Sequence, residues 1–250
     1  MIKVILCGSN GKMGHVLTEL ISENPEMEVV AGIDSSESCP YNYPVFADFN
    51  KCNIEADVII DFSHHSIVSN LVDYCVKTST PSVICTTGLD DALIEKINTA
   101  SKKVPLFRSG NMSLGVNLIM DLAKKAAKIL ADNFDIEIIE KHHNRKVDAP
   151  SGTAYMIAEA INDELSGSKE YNYGRYGRAA KRQSSEIGIH AVRGGTIVGE
   201  HNVIYAGPDE IIEIKHTAMS RKVFASGAIK AAKFLTSKEN GLYNMDDILK

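Results

Sequence analysis

The sequence has no apolar run approaching the ~18 residues that a membrane-spanning helix needs. Its opening, MIKVILCGSNGKMG, reaches glycines too early to be a secretory leader. No CxxC pair occurs, and the five cysteines (Cys7, Cys39, Cys52, Cys75 and Cys85) are odd in number and widely spaced. That argues against a zinc ribbon or a dithiol centre and for reduced, mostly structural thiols. Positive charge is not in excess either. Lys and Arg number 27 against 32 Asp and Glu, a net charge of −5. Such a chain is not built to coat nucleic acid, and it feels no general pull toward anionic lipid. What is present is an ordinary globular balance, 44% hydrophobic and 24% charged, which excludes a disordered chain, a fibre and a coiled coil. The 250 residues allow one domain or two. The expected location is the cytoplasm.

Along the first 110 residues, strand-like and helix-like segments alternate. Apolar, β-branched runs lie at 2–7, 28–33, 57–61, 82–85 and 104–108, and helical patterns at 12–24, 65–78 and 90–103. This order predicts an α/β, Rossmann-like, doubly wound parallel sheet. A long helix is expected over 114–132, with Leu118, Ile119, Leu122, Ala126, Ile129 and Leu130 on its apolar face and Ser113 as N-cap. The pattern changes after residue 134. A strand at 135–141, a helix at 151–165 and strands near 186–193, 196–206 and 210–217 predict a second α+β domain with an antiparallel or mixed sheet. Residues 166–184 read as a polar loop, and a last helix as 222–236. The expected division is 1–113 with 223–250 for dinucleotide binding, and 114–222 for substrate binding and oligomerisation.

Strand 2–7 runs into Gly8-Ser9-Asn10-Gly11-Lys12-Met13-Gly14 and then a helix. Glycines let the backbone approach a pyrophosphate, and the helix start offers N–H groups and a positive dipole end. Asp34 stands twenty residues past Gly14, where a carboxylate can accept from adenosine ribose hydroxyls. A tight strand-to-helix turn without ligand would use the same glycines, but the order strand, loop, helix, acid favours a dinucleotide. Asp34 would repel a 2′-phosphate, and Ser35-Ser36 follow it where an arginine could have received one. NADH is therefore expected to serve at least as well as NADPH. Ligands of open α/β sheets bind beyond the carboxyl ends of the strands. Those ends carry Asp61-Phe62-Ser63, Cys85-Thr86-Thr87-Gly88 and Ser109-Gly110-Asn111-Met112.

The densest chemistry is EIIEKHHNRKVDAPSGTA at 137–154. His142, His143, Arg145 and Lys146 lie close in sequence to a helix start at Ser151-Gly152-Thr153, and both features attract anions. A small acid with one or two carboxylates fits, held by the Gly152 and Thr153 amides with His143 and Lys146. A histidine can deliver a proton near neutral pH. A metal reading of His142-His143 lacks a third ligand at suitable spacing and suffers from cationic neighbours, so no metal is expected. His15, His190, His201 and His216 have no evident partner, and His64-His65 read as surface residues. Arg175, Arg178, Lys181 and Arg182 could reach a cofactor phosphate or a neighbouring subunit, or be solvated.

The stretch 137–154 resembles the signature of bacterial dihydrodipicolinate reductases. The resemblance extends over essentially the whole chain, through GxxGKMG, TTG at 86–88, GNMSLGVN at 110–117, EIGIHAVRGGTIVGEH at 186–201 and GLYNMDDIL at 241–249. It implies NAD(P)H-dependent reduction of a cyclic imine dicarboxylate in the diaminopimelate route to lysine, by a cytoplasmic homotetramer. It places cofactor contacts on Gly8, Ser9, Asn10, Gly11, Lys12, Met13, Asp34, Cys85, Thr86, Thr87, Ser109, Gly110, Asn111 and Met112. Catalysis would fall on His142 and Lys146, and substrate binding on His143, Gly152 and Thr153. Two positions depart from the family: Cys85 replaces a usual glycine, and Met112 a frequent phenylalanine. The arginine of members that use NADPH well is absent. A sibling Rossmann dehydrogenase would lack the HHxxKxDxPSGTA signature, and a nucleotide sensor could dispense with His142 and Lys146.

Overall fold

The computed structural model describes residues 1–38 and 40–249; the thiol expectation for Cys39 falls outside them. The chain divides into two compact units, Met1–Leu114 with Arg221–Lys250, and Gly115–Ser220.

The first unit alternates β1 (Ile2–Cys7), α1 (Lys12–Ser22), β2 (Met27–Ile33), β3 (Val45–Phe46), β4 (Val58–Asp61), α2 (His65–Thr78), β5 (Ser82–Ile84), α3 (Asp91–Ser101) and β6 (Pro105–Arg108). After the second unit it is completed by α6 (Lys222–Leu235), β12 (Gly241–Tyr243) and α7 (Met245–Leu249). The sheet is parallel throughout, in the order β12-β6-β5-β4-β1-β2-β3. Side chains alternate across a strand, and β1 shows the result. Val4 and Leu6 join one core layer with Leu17, Ile21, Ala228 and Leu235, while Ile5 and Cys7 join the opposite layer with Leu71, Val72 and Ile97. Helices thus cover both faces, and each buried Val, Ile or Leu stabilises the fold by about 1.5–3 kcal/mol. The alanines of α6 let it lie close, and Gly227 leaves room for the Met112 carbonyl.

The second unit contains α4 (Leu114–Leu130, whose first residue belongs to the other unit), β7 (Asp135–His142), α5 (Gly152–Glu164), β8 (Glu170–Asn172), β9 (Glu186–Arg193), β10 (Gly199–Ala206) and β11 (Ile211–Ala218). Its sheet runs β11-β10-β7-β9-β8 and is mixed: β7 pairs antiparallel with β10 and parallel with β9. Ile136, Ile138, Ile187, Ile189, Val203 and Tyr205 pack beneath Ile119, Ala123, Ala154, Ile157 and Ile161 of the helices.

Three expectations need correction. The buried face of α4 is Val116, Ile119, Ala123 and Ala127, whereas Leu118, Leu122 and Ile129 are exposed. Apolar residues cover more than one side of this helix, and the sheet receives the side carrying small alanines, where the Tyr205 hydroxyl donates to the Ala123 carbonyl at 2.6 Å. The 166–184 segment is not wholly loop, since β8 pairs with β9. Its Arg175 and Arg182 are neither solvated nor left to a phosphate: they bond Glu137, with Glu186 and Asp135 completing the cluster.

Candidate active site

In the first unit the glycine loop closes by a Gly11 N–H to Gly8 carbonyl bond of 3.1 Å. Gly8 has φ +79°, and a Cβ there would lie 2.6 Å from the Phe62 carbonyl oxygen. A Cβ on Gly14 would run into the Ser9 and Gly8 carbonyls. Only glycine lets the loop fold this tightly onto the start of α1. Helices α2, α3 and α5 are capped by the side chains of His64, Asp90 and Ser151, but α1 begins at Gly11 with no side-chain cap and no acid in its first turn. An uncapped helix start behind a glycine cradle fits the diphosphate of a dinucleotide. Asn10 donates its N–H to Asp34 at 2.9 Å, and its side-chain amide donates to the Ser36 carbonyl at 2.7 Å.

The neighbouring strand ends are tied by a buried carboxylate. Asp61 accepts from the Ser63 N–H (3.0 Å), the Ser63 hydroxyl and the Thr86 hydroxyl (2.8 Å). Burial pushes its carboxyl above the usual range, against these bonds. Thr87 and Gly88 are exposed just beyond. Ser109 accepts from the Asn111 N–H and donates to the Asn111 carbonyl, and the Asn111 side chain accepts from Ser113. The side chains of Ser9, Cys85 and Met112 are turned inward, at 0%, 7% and 2% exposure.

In the second unit, β7 places Ile136, Ile138, Glu140 and His142 on its buried face. Glu140 is fully buried and accepts four hydrogen bonds. They come from His142 Nδ1 (2.7 Å), both terminal nitrogens of Arg193 (2.7 Å each) and the Ser151 N–H (2.9 Å). Burial alone would raise this carboxyl; the bonds from His142 and Arg193 outweigh it and bring it down to about 2. Arg193 also donates to the Asp148 carbonyl at 2.7 Å, fastening the 143–150 loop. Ser151 caps α5 through the Ala154 N–H and lies 3.0 Å from His201 Nε2. The His201 ring stands edge-on to His142 at 5.2 Å. Burial, then the neighbouring His142, pushes His201 down to about 4, so it is neutral at physiological pH. Lys146 pairs with Asp148 at 2.9 Å.

The structure thus gathers His142, Lys146 and the Gly152-Thr153 helix start around one loop, with His143 beside them in sequence. Sequence reasoning missed Glu140, Arg193 and His201. A signal for Glu140 existed: a charge in phase with Ile136 and Ile138 sits on the buried face of a strand. Among the described residues no three His, Cys, Asp or Glu side chains converge as metal ligands would, and no helix is long and apolar enough to cross a membrane.

A parallel Rossmann sheet with a glycine cradle, joined in one chain to a unit holding a buried imidazole and a lysine, defines an oxidoreductase that uses a nicotinamide cofactor. Comparison with known proteins narrows this class. Residues 2–112 match the family model described as dihydrodipicolinate reductase, N-terminus, and residues 115–249 the one described as dihydrodipicolinate reductase, C-terminus. The chain belongs to the dihydrodipicolinate reductase family. It is 56% identical over 250 residues to the 4-hydroxy-tetrahydrodipicolinate reductase of Caldanaerobacter subterraneus subsp. tengcongensis, covering 100% of this chain and 99% of that one. It is 49% identical to the reductase of the same name from Clostridium tetani, covering 100% and 97%. Among solved structures it is similar to the dipicolinate-bound dihydrodipicolinate reductase from Paenisporosarcina sp. TG-14, with a TM-score of 0.84, 27% identity and 99% of each chain covered.

Proposed function

We propose that this protein reduces 4-hydroxy-tetrahydrodipicolinate to tetrahydrodipicolinate with NAD(P)H, releasing water, in the diaminopimelate route to lysine. The observation that carries this reading is the 56% identity to a relative of that name over the full length of both chains. Dipicolinate, bound in the Paenisporosarcina structure, is a small planar dicarboxylate. That supports a dicarboxylate substrate here.

When bound, the reduced nicotinamide supplies the hydride. The chain's own residues bind, orient and move the proton. The loop Gly8, Ser9, Asn10, Gly11, Lys12 and Met13 holds the diphosphate at the uncapped start of α1, and Asp34 receives the adenosine ribose. Backbone and hydroxyl groups of 85–87 and 109–112 line the nicotinamide end. In the second unit His143 and the Gly152 and Thr153 amides receive substrate carboxylate, joined by Lys146 once a carboxylate competes with Asp148 for it. His142 gives a proton to the anionic centre that hydride addition creates, and Lys146 stabilises the growing charge. Reduction consumes one hydride and one proton, and the ring hydroxyl leaves as water with a proton lost from the neighbouring ring carbon.

NADH serves at least as well as NADPH, because the Asp34 carboxylate would face a 2′-phosphate. The chain acts in the cytoplasm as a homotetramer built through the second sheet. Val192 and Ile211, on the face opposite Ile138 and Tyr205, are 44% and 66% exposed, and self-association would cover them.

The test is a coupled assay. Pyruvate and aspartate semialdehyde are condensed by a separate synthase, and oxidation of NADH and NADPH is followed in parallel. Oxidation that depends on the synthase is expected. A folded protein that binds NADH yet oxidises neither cofactor would turn the reading toward a sibling dehydrogenase or a sensor.

A further inference from the structure

Glu140 takes no part in the steps above, yet it is fully buried and accepts four hydrogen bonds. We propose that Glu140 is a positioning residue that holds the His142 ring by Nδ1 and fixes its tautomer, while Arg193 shares the carboxylate that the ring bonds. This rests on the reading of His142 as proton donor.

The geometry carries the argument. A carboxylate held ionised has no proton to give, so in the 2.7 Å contact the Nδ1–H of His142 must donate. That fixes the tautomer and leaves Nε2 as the nitrogen that gains or gives the mobile proton. Nε2 faces Gly199, where a Cβ would stand 3.1 Å away; glycine keeps that edge of the ring clear. Arg193 lies opposite His142 in the parallel β7–β9 register, so both side chains leave the same face of the sheet. The two share one oxygen: Glu140 Oε2 accepts from His142 Nδ1 and from Arg193, each at 2.7 Å. Arg193 and His142 therefore divide one negative charge.

Other groups face the ring. From β10 comes His201, neutral through burial, and across from it in register His216 of β11, also lowered by burial. The 143–150 loop brings Lys146, paired with Asp148. The start of α5 brings the Ser151 N–H and no charge. The Glu140–Arg193 pair is thus the charged contact made directly around the ring.

The experiment compares Glu140→Gln and Arg193→Gln in the full-length enzyme. The His142 ring is titrated by NMR at Cε1, assigned against His142→Gln, and kcat is measured against pH for each variant. Glu140→Gln keeps an acceptor but removes the charge, so the NMR midpoint and the basic limb of kcat should move down by about one pH unit. Arg193→Gln removes the competing cation, so both should move up. Opposite signs are the expected result, and a merely structural role would not produce them. Midpoints that stay in place in both variants, or move the same way, overturn the proposal. Opposite NMR shifts with an unmoved kcat profile uphold Glu140's hold on the ring and overturn His142 as proton donor. If Glu140→Gln does not fold, Arg193→Gln decides alone: an upward midpoint supports the proposal, and a fixed or downward one overturns it.

Discussion

The backbone N–H of Asn10 donates to the carboxylate of Asp34, 24 residues further on and at the end of the adjoining strand. The other carboxylate oxygen takes the Ser36 N–H at 3.4 Å. One acid thus pins the glycine loop, and in the proposed function it also receives the adenosine ribose.

Asp34→Ala removes both duties. Charge-assisted hydrogen bonds are worth about 1.5–3 kcal/mol. kcat/KM for NADH should therefore fall about tenfold to a hundredfold. The value for NADPH should fall less, because the charge opposing a 2′-phosphate goes too. Steady-state kinetics with both cofactors checks this. Equal losses would leave Asp34 as a loop anchor only.

Two glycines should respond in opposite ways to a methyl group. At Gly14 the Cβ meets the Gly8 and Ser9 carbonyls, so Gly14→Ala should cost about 1–3 kcal/mol of stability and weaken NADH binding. At Gly152 nothing lies within 4 Å of the added Cβ. Gly152→Ala should leave Tm unchanged while KM for the substrate rises, because the methyl stands at the helix start. Thermal melts beside kinetics separate the two. An unchanged KM would release the α5 start from carboxylate binding.

His142→Gln should lower kcat by about 10²–10⁴, the usual worth of a general acid. Lys146→Ala should weaken binding of pyridine dicarboxylate, measured by calorimetry. Undiminished affinity would mean that Lys146 stays with Asp148 throughout.

Acid stability should fall in two overlapping stages. His201 is held near 4 against 6.5 in its ordinary state, and Glu140 near 2 against 4.5. Both folded values lie below the unfolded ones, so the unfolded chain takes up protons first and stability drops as pH falls through each interval. The His201 stage spans about pH 6.5 to 4 and the Glu140 stage about 4.5 to 2. Thermal melts across this range should show both, and His201→Asn should flatten the upper one. A wild-type Tm constant between about pH 7 and 4 would count against His201.

The long strands and helices were legible because their apolar period is unambiguous: α2 falls at 65–78 and β9 at 186–193, as the patterns read. Short β3, β8 and β12 were not, since their two or three residues belong to no β-branched apolar run. In α4, Leu118 and Ile119 compete for the core by equal hydrophobicity, and the choice is made by the close approach of the sheet to Ala123. The site divides similarly. His142, Lys146 and the 8–14 loop are written in contiguous motifs. Arg193 and His201 enter through sheet pairing, 53 residues from Glu140 and 50 from Ser151, and no local pattern announces such a partner.

The first unit is interrupted: its chain leaves at Leu114 and resumes at Arg221. Ala225, Ala228, Ile229, Ala231, Ala232, Leu235 and Met245 belong to the same core layer as Val4 and Leu6. On the ribosome, the segment made first must therefore wait for the segment made last. The nucleotide-binding half stays open while the other half already has all its strands. A chain cut short near its C-terminus would lose the fold at its N-terminus, and the middle would be the part left standing.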